Sequence, residues 1–296
     1  MNKGVPAAAG TYVLWGLMPI YWKTLEAVPA PEIMSHRVVW SLPVVFLLLA
    51  AQGQVRRLAR AGLKPATWLP FLASGVLLSI NWLTYLWANN NGHALETSLG
   101  YFMNPLVNVL LGTLLLRERQ RPWQMVAVAL AFVGVGYLTL SYGQPPWISL
   151  TLALSFGFYG LIRKTAALGS VAGLTLELSV MFVPTAAYLL YRAWSGTSAF
   201  GQMGPVTNAM LIFAGPATAI PLALFAFGAR RVPLTTLGIL QYISPTLQFL
   251  IAVFLFGEAF TQARLVGFSF IWLALAVYTA ESFVARRRQM QAVPVS

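Results

Sequence analysis

Apolar stretches recur along the whole chain, separated by short segments that carry most of the charge. A helix of about 20 residues, rising about 1.5 Å per residue, crosses the hydrocarbon core of a bilayer. Ten stretches have that character, at roughly 5–22, 32–52, 68–90, 95–116, 122–142, 145–163, 171–191, 207–229, 233–256 and 263–285. The fourth departs most from a plain lipid-facing pattern. From Glu96 to Glu118 it places a polar or small residue at every fourth position, Glu96, Gly100, Asn104, Asn108 and Gly112, with Pro105 near its middle. A helix that only faces lipid has no use for such a stripe. The stripe drifts about 40° per step on a straight helix, so it winds around the axis. The pattern predicts a helix that lines a polar pathway.

Composition agrees and removes the soluble alternatives. Of 296 residues, 58% are hydrophobic and 9% charged, which excludes a two-domain soluble protein. The first apolar run lacks a strongly basic leader and a small-residue cleavage site, so it is expected to stay as the first helix. Asp and Cys are absent, which leaves no disulfide framework, thiolate nucleophile or thiolate metal site. With two His, no carboxylate pair at mid-depth and no phosphate-binding G-x-x-x-x-G-K-[ST] motif, neither an enzyme nor an ATP-driven pump is expected. No metal and no cofactor are expected.

The net charge of +12 could suit nucleic acid, but its placement does not. Basic residues cluster between apolar runs, at Arg56 to Lys64, Arg117 to Arg121, Arg163-Lys164, Arg230-Arg231 and Arg286 to Arg288. Sorted by alternate connections, they gather on one side and leave Lys23, Arg37, Arg192 and Arg264 on the other. The positive-inside rule then puts both termini in the cytoplasm. The partners predicted are a lipid bilayer and a small-molecule substrate.

The chain also repeats itself. In one register Trp15-Gly16 falls on Phe156-Gly157, Lys23-Thr24 on Lys164-Thr165 and Pro43 on Pro184, and one residue away Pro105 falls on Pro245 and Glu118 on Glu258. An odd number of spans in each half turns the second half upside down. Inverted repeats are the architecture of alternating-access carriers, with the substrate site near the midplane between the halves. A duplicated channel is the alternative. The fold class predicted is an all-α polytopic membrane protein of ten transmembrane helices in two inverted five-helix repeats, 5–142 and 145–285, followed by a basic cytoplasmic tail, 286–296.

Candidate substrate contacts follow from polar and aromatic residues on the pathway spans. On the third span they are Asn81, Trp82 and Tyr85, and on the fourth Tyr101, Asn104 and Asn108. Tyr159 comes from the sixth, and Gln241, Tyr242 and Gln248 from the ninth. Amides can hydrogen-bond a solute, and aromatic faces can stack on an aromatic or cationic one. Packing is the competing explanation for the small and polar residues, above all Gly100 and Gly112. Pro105, Pro245 and Pro221 are expected kinks, each freeing a backbone carbonyl. Intramembrane charges are costly, so His36, Arg37, Glu96 and Glu177 are gating or coupling candidates, with an Arg37–Glu96 pair at the outer gate. A permanent structural tether is the other reading of that pair. The fifth span, with Ala127, Ala131, Gly134 and Gly136, reads as packing against another helix or a second protomer, which allows a homodimer through the fifth or tenth helix.

Four segments, PEIMSHRVVWS, LETSLGYFMNPLVNVLLG, LSFGFYGLIRK and TTLGILQYISPTLQFL, resemble the RarD branch of the EamA drug/metabolite transporter superfamily. The likeness covers essentially the whole chain, and the motif from Ser98 to Asn108 is specific to that branch. It implies ten helices in two inverted EamA repeats, a bacterial inner-membrane location and a small-solute permease. It also implies a cavity among the first, third, fourth, sixth, eighth and ninth helices, with the fifth and tenth peripheral. Branch members carry a label of chloramphenicol sensitivity or resistance, and related members export amino acids, other metabolites or drugs. The function expected is therefore a secondary transporter of small amphipathic solutes, amino-acid-like or drug-like, with a passive facilitator as the alternative.

Overall fold

Prolines and glycines set most of the element boundaries. Pro205 opens its helix from the first turn, where a missing N–H costs nothing, and Pro233 stands just before another. Gly53 and Gly196, at φ +65° and +67°, follow two helix C-termini in the left-handed conformation that other residues resist. The structure, a computed structural model, describes residues 3–62, 65–90, 94–142, 147–255 and 261–291. Every regular element among them is helical. They are α1 Gly4–Lys23, α2 Ala30–Ala51, α3 Val55–Gly62, α4 Pro65–Asn90, α5 Ala94–Leu115, α6 Pro122–Tyr142, α7 Trp147–Thr165, α8 Ser170–Trp194, α9 Pro205–Ala229, α10 Leu234–Gln241, α11 Ile243–Leu250, a π-helical turn Ile251–Leu255, and α12 Gln262–Gln291.

Six of these stretches are long and apolar enough to cross a membrane: α2, most of α4, α6, α8, α9, and the run from α10 through the π turn. Shorter apolar segments, Leu99–Leu115 and Leu265–Tyr278, lie in α5 and α12.

Three details differ from the pattern expected. The basic connection after α2 contains the short helix α3, whose Val55 and Leu58 pack against the cluster of Leu49, Phe71 and Val171 while Arg56 and Arg60 are exposed. The span near 233–256 is broken at Tyr242 into α10 and α11. Pro245 has no N–H to give the Gln241 carbonyl, so the ladder loses a rung there. Finally, α12 continues through Arg286–Arg288 to Gln291, because Arg is a good helix former and no breaker precedes Pro294.

Packing is reciprocal between the halves. Helix α1 lies on α9 and α11, as α7 lies on α4 and α5; α2 lies on α9 as α8 lies on α4; and α2 meets α8, α5 meets α10, and α6 meets α12. The α6/α12 pair stands at the edge. Ala127, Ala131, Ile271 and Ala274 are buried between its helices, while Phe132 and Leu140 point outward, 69% and 84% exposed. Ala127, Ala131 and Gly134 of α6 thus face α12 within the chain, while Gly136 has nothing within 4 Å.

Lipid gives helices no hydrophobic incentive to associate, so close van der Waals fit must hold them. Gly215 on α9 is the tightest such point between α2 and α9. A Cβ there would fall 2.3–2.5 Å from the Trp40 backbone and Cβ. At Gly100 a Cβ would sit 3.0–3.1 Å from Leu152 and Ser149, so α5 is pressed directly on α7. Gly215→Ala is expected to destabilise the protein by about 1–3 kcal/mol through overpacking, whereas Gly136→Ala, with nothing within 4 Å, should be neutral or slightly stabilising. Thermal unfolding in detergent compares them directly, and equal effects would remove the close-approach argument.

Candidate functional site

A cavity of about 320 Å³ lies at the centre of the bundle, walled by α1, α2, α4, α5, α7, α9, α10 and α11. That size falls within the usual range for small-molecule sites. At one end its lining reaches Lys23, whose side chain is 59% exposed, so the cavity runs toward the sparsely charged face of the bundle. A second cleft of about 420 Å³ lies at the opposite face among Gln52, Gln54, Ser170, Arg230 and Arg231, away from the crossing helices.

Polar groups line the cavity at several depths. From α4, Asn81 donates to the Leu152 carbonyl at 2.9 Å and to Ser155 Oγ at 3.0 Å, with Trp82 and Tyr85 above it on the same helix. From α5 come Tyr101, in ring contact with Tyr85 at 5.7 Å, and Asn104, fully buried with neither amide atom hydrogen-bonded. Gln241 accepts from Asn108 Nδ2 at 2.8 Å. Gln248 donates to the Trp15 carbonyl and to Ser244 Oγ, both at 3.2 Å. Pro245 forms part of the wall beside the α10/α11 break, and Ala217, whose carbonyl is freed by Pro221, also lines the cavity. Pro221 itself lies behind the wall, its carbonyl accepting from Thr11 Oγ1 at 3.3 Å.

Other candidates stand behind the wall. Asn108 touches the cavity only through Gln241. Tyr242 is buried against Phe102, with ring centroids 6.5 Å apart, in the cluster shared with α6 and α12. Tyr159 is stacked on Phe225 at 5.6 Å; with Tyr12 and Phe156 these rings close the inner end of the cavity. His36 is buried on the far side of α2, where Nδ1 accepts from Trp40 Nε1 at 3.1 Å and the ring lies 5.1 Å from Phe200.

Arg37 lines the cavity, between the rings of Trp22 and Trp82 at 4.7 and 4.4 Å, with Nε donating to Thr218 Oγ1 at 3.0 Å. Glu96 falls in the first turn of α5, but its side chain, like Glu258, lies outside the described residues. The expected Arg37–Glu96 pair therefore lies outside them as well.

Below the aromatic plug sits a buried charge cluster. Glu177 pairs with Arg163 at 3.3 Å and accepts from the Ser74 hydroxyl, joining α4, α7 and α8. The two charged side chains are 0% and 1% exposed. Arg163 also donates to the Ser170 carbonyl at 2.6 Å. Around this cluster the basic face is tied together. Lys164 donates to the Val232 carbonyl at 2.6 Å, and Arg230 donates to the Ala166 and Leu168 carbonyls at 2.6 and 2.9 Å. Burial, then the charges of Arg163 and Arg231, hold Arg230 below the usual guanidinium range. Glu118 accepts from the Leu234 and Thr235 backbone N–H groups at 2.7 and 3.0 Å and so caps α10.

Sequence reasoning missed two features of this geometry. Trp22 reads as a span-end residue in the sequence yet stacks on Arg37. Glu32 passes unnoticed, although it is fully buried and accepts from Ala199 N–H at 2.7 Å, Ser198 Oγ at 2.9 Å and Arg192 at 3.2 Å, pinning the loop between α8 and α9. The signal available was its place in the first turn of a helix on the same face as Arg192.

Comparison with known proteins agrees with this architecture. The EamA-like transporter family matches residues 2–140. An uncharacterized transporter of Pseudomonas aeruginosa is 45% identical over 294 residues, 98% of this chain and 98% of that one. The RarD protein of Escherichia coli is 43% identical over 287 residues, 97% of each chain. A solved crystal structure superposes with a TM-score of 0.72 over 94% of this chain and 98% of its own at 18% identity, a likeness of fold alone. Similarity at this level over the full length, joined to an all-helical bundle around a central cavity, places the chain in the EamA-like transporter family as a RarD-type, ten-helix multi-pass membrane transporter of the drug/metabolite superfamily, and not an enzyme.

Proposed function

We propose that this protein is a secondary transporter that carries small amphipathic organic solutes across the bacterial inner membrane by rocking two inverted five-helix repeats, 5–142 and 145–285. The observation that carries the reading is the asymmetry of the central cavity. It reaches the face of Lys23, while the opposite end is sealed by Tyr12, Phe156, Tyr159 and Phe225 and, beyond them, by the Arg163–Glu177 pair. A passive channel needs a continuous path; a carrier shows one closed end in each state. The reciprocal helix packing supports the inverted repeat, since exchanging the halves carries each contact onto another. With the basic face in the cytoplasm, both termini are cytoplasmic and this is the outward-open state.

The polar cluster is a suitable inner gate. Removing one partner of a buried ion pair leaves an uncompensated charge and costs about 3–5 kcal/mol, enough to invert a balance between two states. Glu177→Gln should therefore weaken the closed inner end. On this Cys-free chain, a single cysteine at Ala217 should react with an impermeant maleimide from outside, and one at Ala229 should be protected. Adding Glu177→Gln should lower labelling at 217 and raise it at 229 from the inside. Unchanged reactivity at both positions would argue against alternating access.

Orientation has its own check. Ser195→Cys should label in intact cells, and Gln52→Cys only after permeabilisation, since both positions are exposed at opposite faces. Transport itself is tested in proteoliposomes with a panel of aromatic and other amino acids, organic acids and chloramphenicol, with and without a pH gradient. Saturable uptake with counterflow is expected. Flux of every solute without saturation or exchange would favour the facilitator.

A further inference from the structure

Among the described residues, the cavity wall carries one charge with no partner of opposite sign. Among the described residues no carboxylate lines it. Of the two cations that do, Lys23 stands at the mouth and is paired with Glu26 at 2.6 Å. Arg37 has no carboxylate partner among the described residues. Its contacts are of another kind: the rings of Trp22 and Trp82 lie within 4.7 and 4.4 Å of its guanidinium carbon, and Nε is bonded to Thr218. Aromatic stacking does not consume the in-plane donors of the guanidinium, and among the described residues no acceptor is bonded to its terminal N–H groups. A planar, stacked guanidinium with an open edge matches the two oxygens of a carboxylate.

A second, independent group points into the same space. Asn104 is fully buried and lines the cavity, yet neither Nδ2 nor Oδ1 has a partner. The other amides of the wall, Asn81, Gln241 and Gln248, are each hydrogen-bonded within the protein. Buried amides are normally satisfied, so an orphan in a binding cavity marks a place for a ligand group. The remaining wall is largely aromatic, with Trp15, Tyr85, Tyr101 and Phe156.

We propose that the cavity takes an amphipathic organic acid as its anion. The carboxylate docks on Arg37, an aromatic or other apolar body lies on the rings, and a hydrogen-bonding group such as an amide reaches Asn104. The proposal rests on the transport reading for the solute's passage, but the binding chemistry is tested separately. An anion supplies a counter-charge that Arg37 lacks among the described residues in a low-dielectric site, whereas a cation is repelled by it. The ammonium of a zwitterion finds no carboxylate among the described lining residues.

The test uses purified full-length protein in detergent and three matched probes: 3-phenylpropionate, its neutral amide, and phenethylamine. Phenylglyoxal modifies arginine, and peptide mass spectrometry reads the rate at Arg37. 3-Phenylpropionate is expected to slow that rate at least fivefold, and the amide and amine less than twofold. Protection that is equal for all three, or absent for the carboxylate, overturns the proposal. Binding followed by tryptophan fluorescence supplies the second arm, with folding of each variant checked by its melting curve. Arg37→Gln should lose the preference for carboxylate over amide, and Arg37→Lys should keep part of it. Asn104→Leu should weaken N-acetylphenylalanine at least fivefold while leaving 3-phenylpropionate within twofold. A carboxylate preference that survives Arg37→Gln, or equal effects of Asn104→Leu on both probes, counts against it. Proteoliposomes separate the two readings. If neutral solutes are carried and no carboxylate protects Arg37, the anion site fails alone. If Arg37 is protected and nothing crosses the membrane, transport fails and the site stands.

Discussion

Hydrocarbon cannot solvate a peptide group or a charge, and the arrangement of this protein follows from that constraint. Each polar group carried into the bundle must find its partner inside the chain. The result is a division of labour across the depth of the membrane. At the basic face the partners are plentiful: Arg163 with Glu177, Lys164 and Arg230 with backbone carbonyls, Glu118 with the first N–H groups of α10. At the centre the partners run out, and Asn104 stands with both amide atoms unclaimed. A binding site in a membrane bundle is where internal satisfaction is incomplete.

The same constraint explains why the two faces are built from different parts. Glu32 on one face is surrounded by donors from the α8–α9 loop and Arg192, and serves as a fixed pin rather than a moving part. Glu177 on the other, carried by α8, has a guanidinium from α7 and a hydroxyl from α4. A carboxylate bound to one loop stabilises one shape. A carboxylate shared among α4, α7 and α8 ties together helices from both halves of the chain.

Helix fit supplies what hydrophobicity cannot in lipid. Gly215 lets α9 touch the α2 backbone, and Gly100 lets α5 press on α7. These contacts surround the cavity and set its width. The α6/α12 pair uses small residues for the same purpose at the edge, with Ala127 and Ala131 buried and Gly134 pressed on Gly267 and Ile271. Polar residues at the centre and small residues around it are thus two answers to one problem, the first leaving room for a ligand and the second removing all room.

Periodicity and composition alone determined the helical class, the approximate limits of the spans and the division of basic residues between faces. These depend on local chain physics: about 1.5 Å of rise per residue against a fixed hydrocarbon thickness, and the high cost of charge within it. The polar stripe on α5 and its counterpart around Pro245 were also legible, because they break an apolar pattern. Which member of the stripe meets the cavity was not. Asn104 lines it and Asn108, one turn away, is consumed by Gln241, a difference set by the neighbour across the interface rather than by the helix itself. Tyr101 and Tyr159 look alike in sequence, yet one faces the cavity and the other stacks under it on Phe225. Arg37 is the clearest case. Its sequence context marks a charge near a span end, and only the tertiary structure brings Trp22, Trp82 and Thr218 around it from three other helices. Burial and partner choice are properties of the assembled bundle, so the chain's pattern shows where polar groups must be resolved and the packing decides with what.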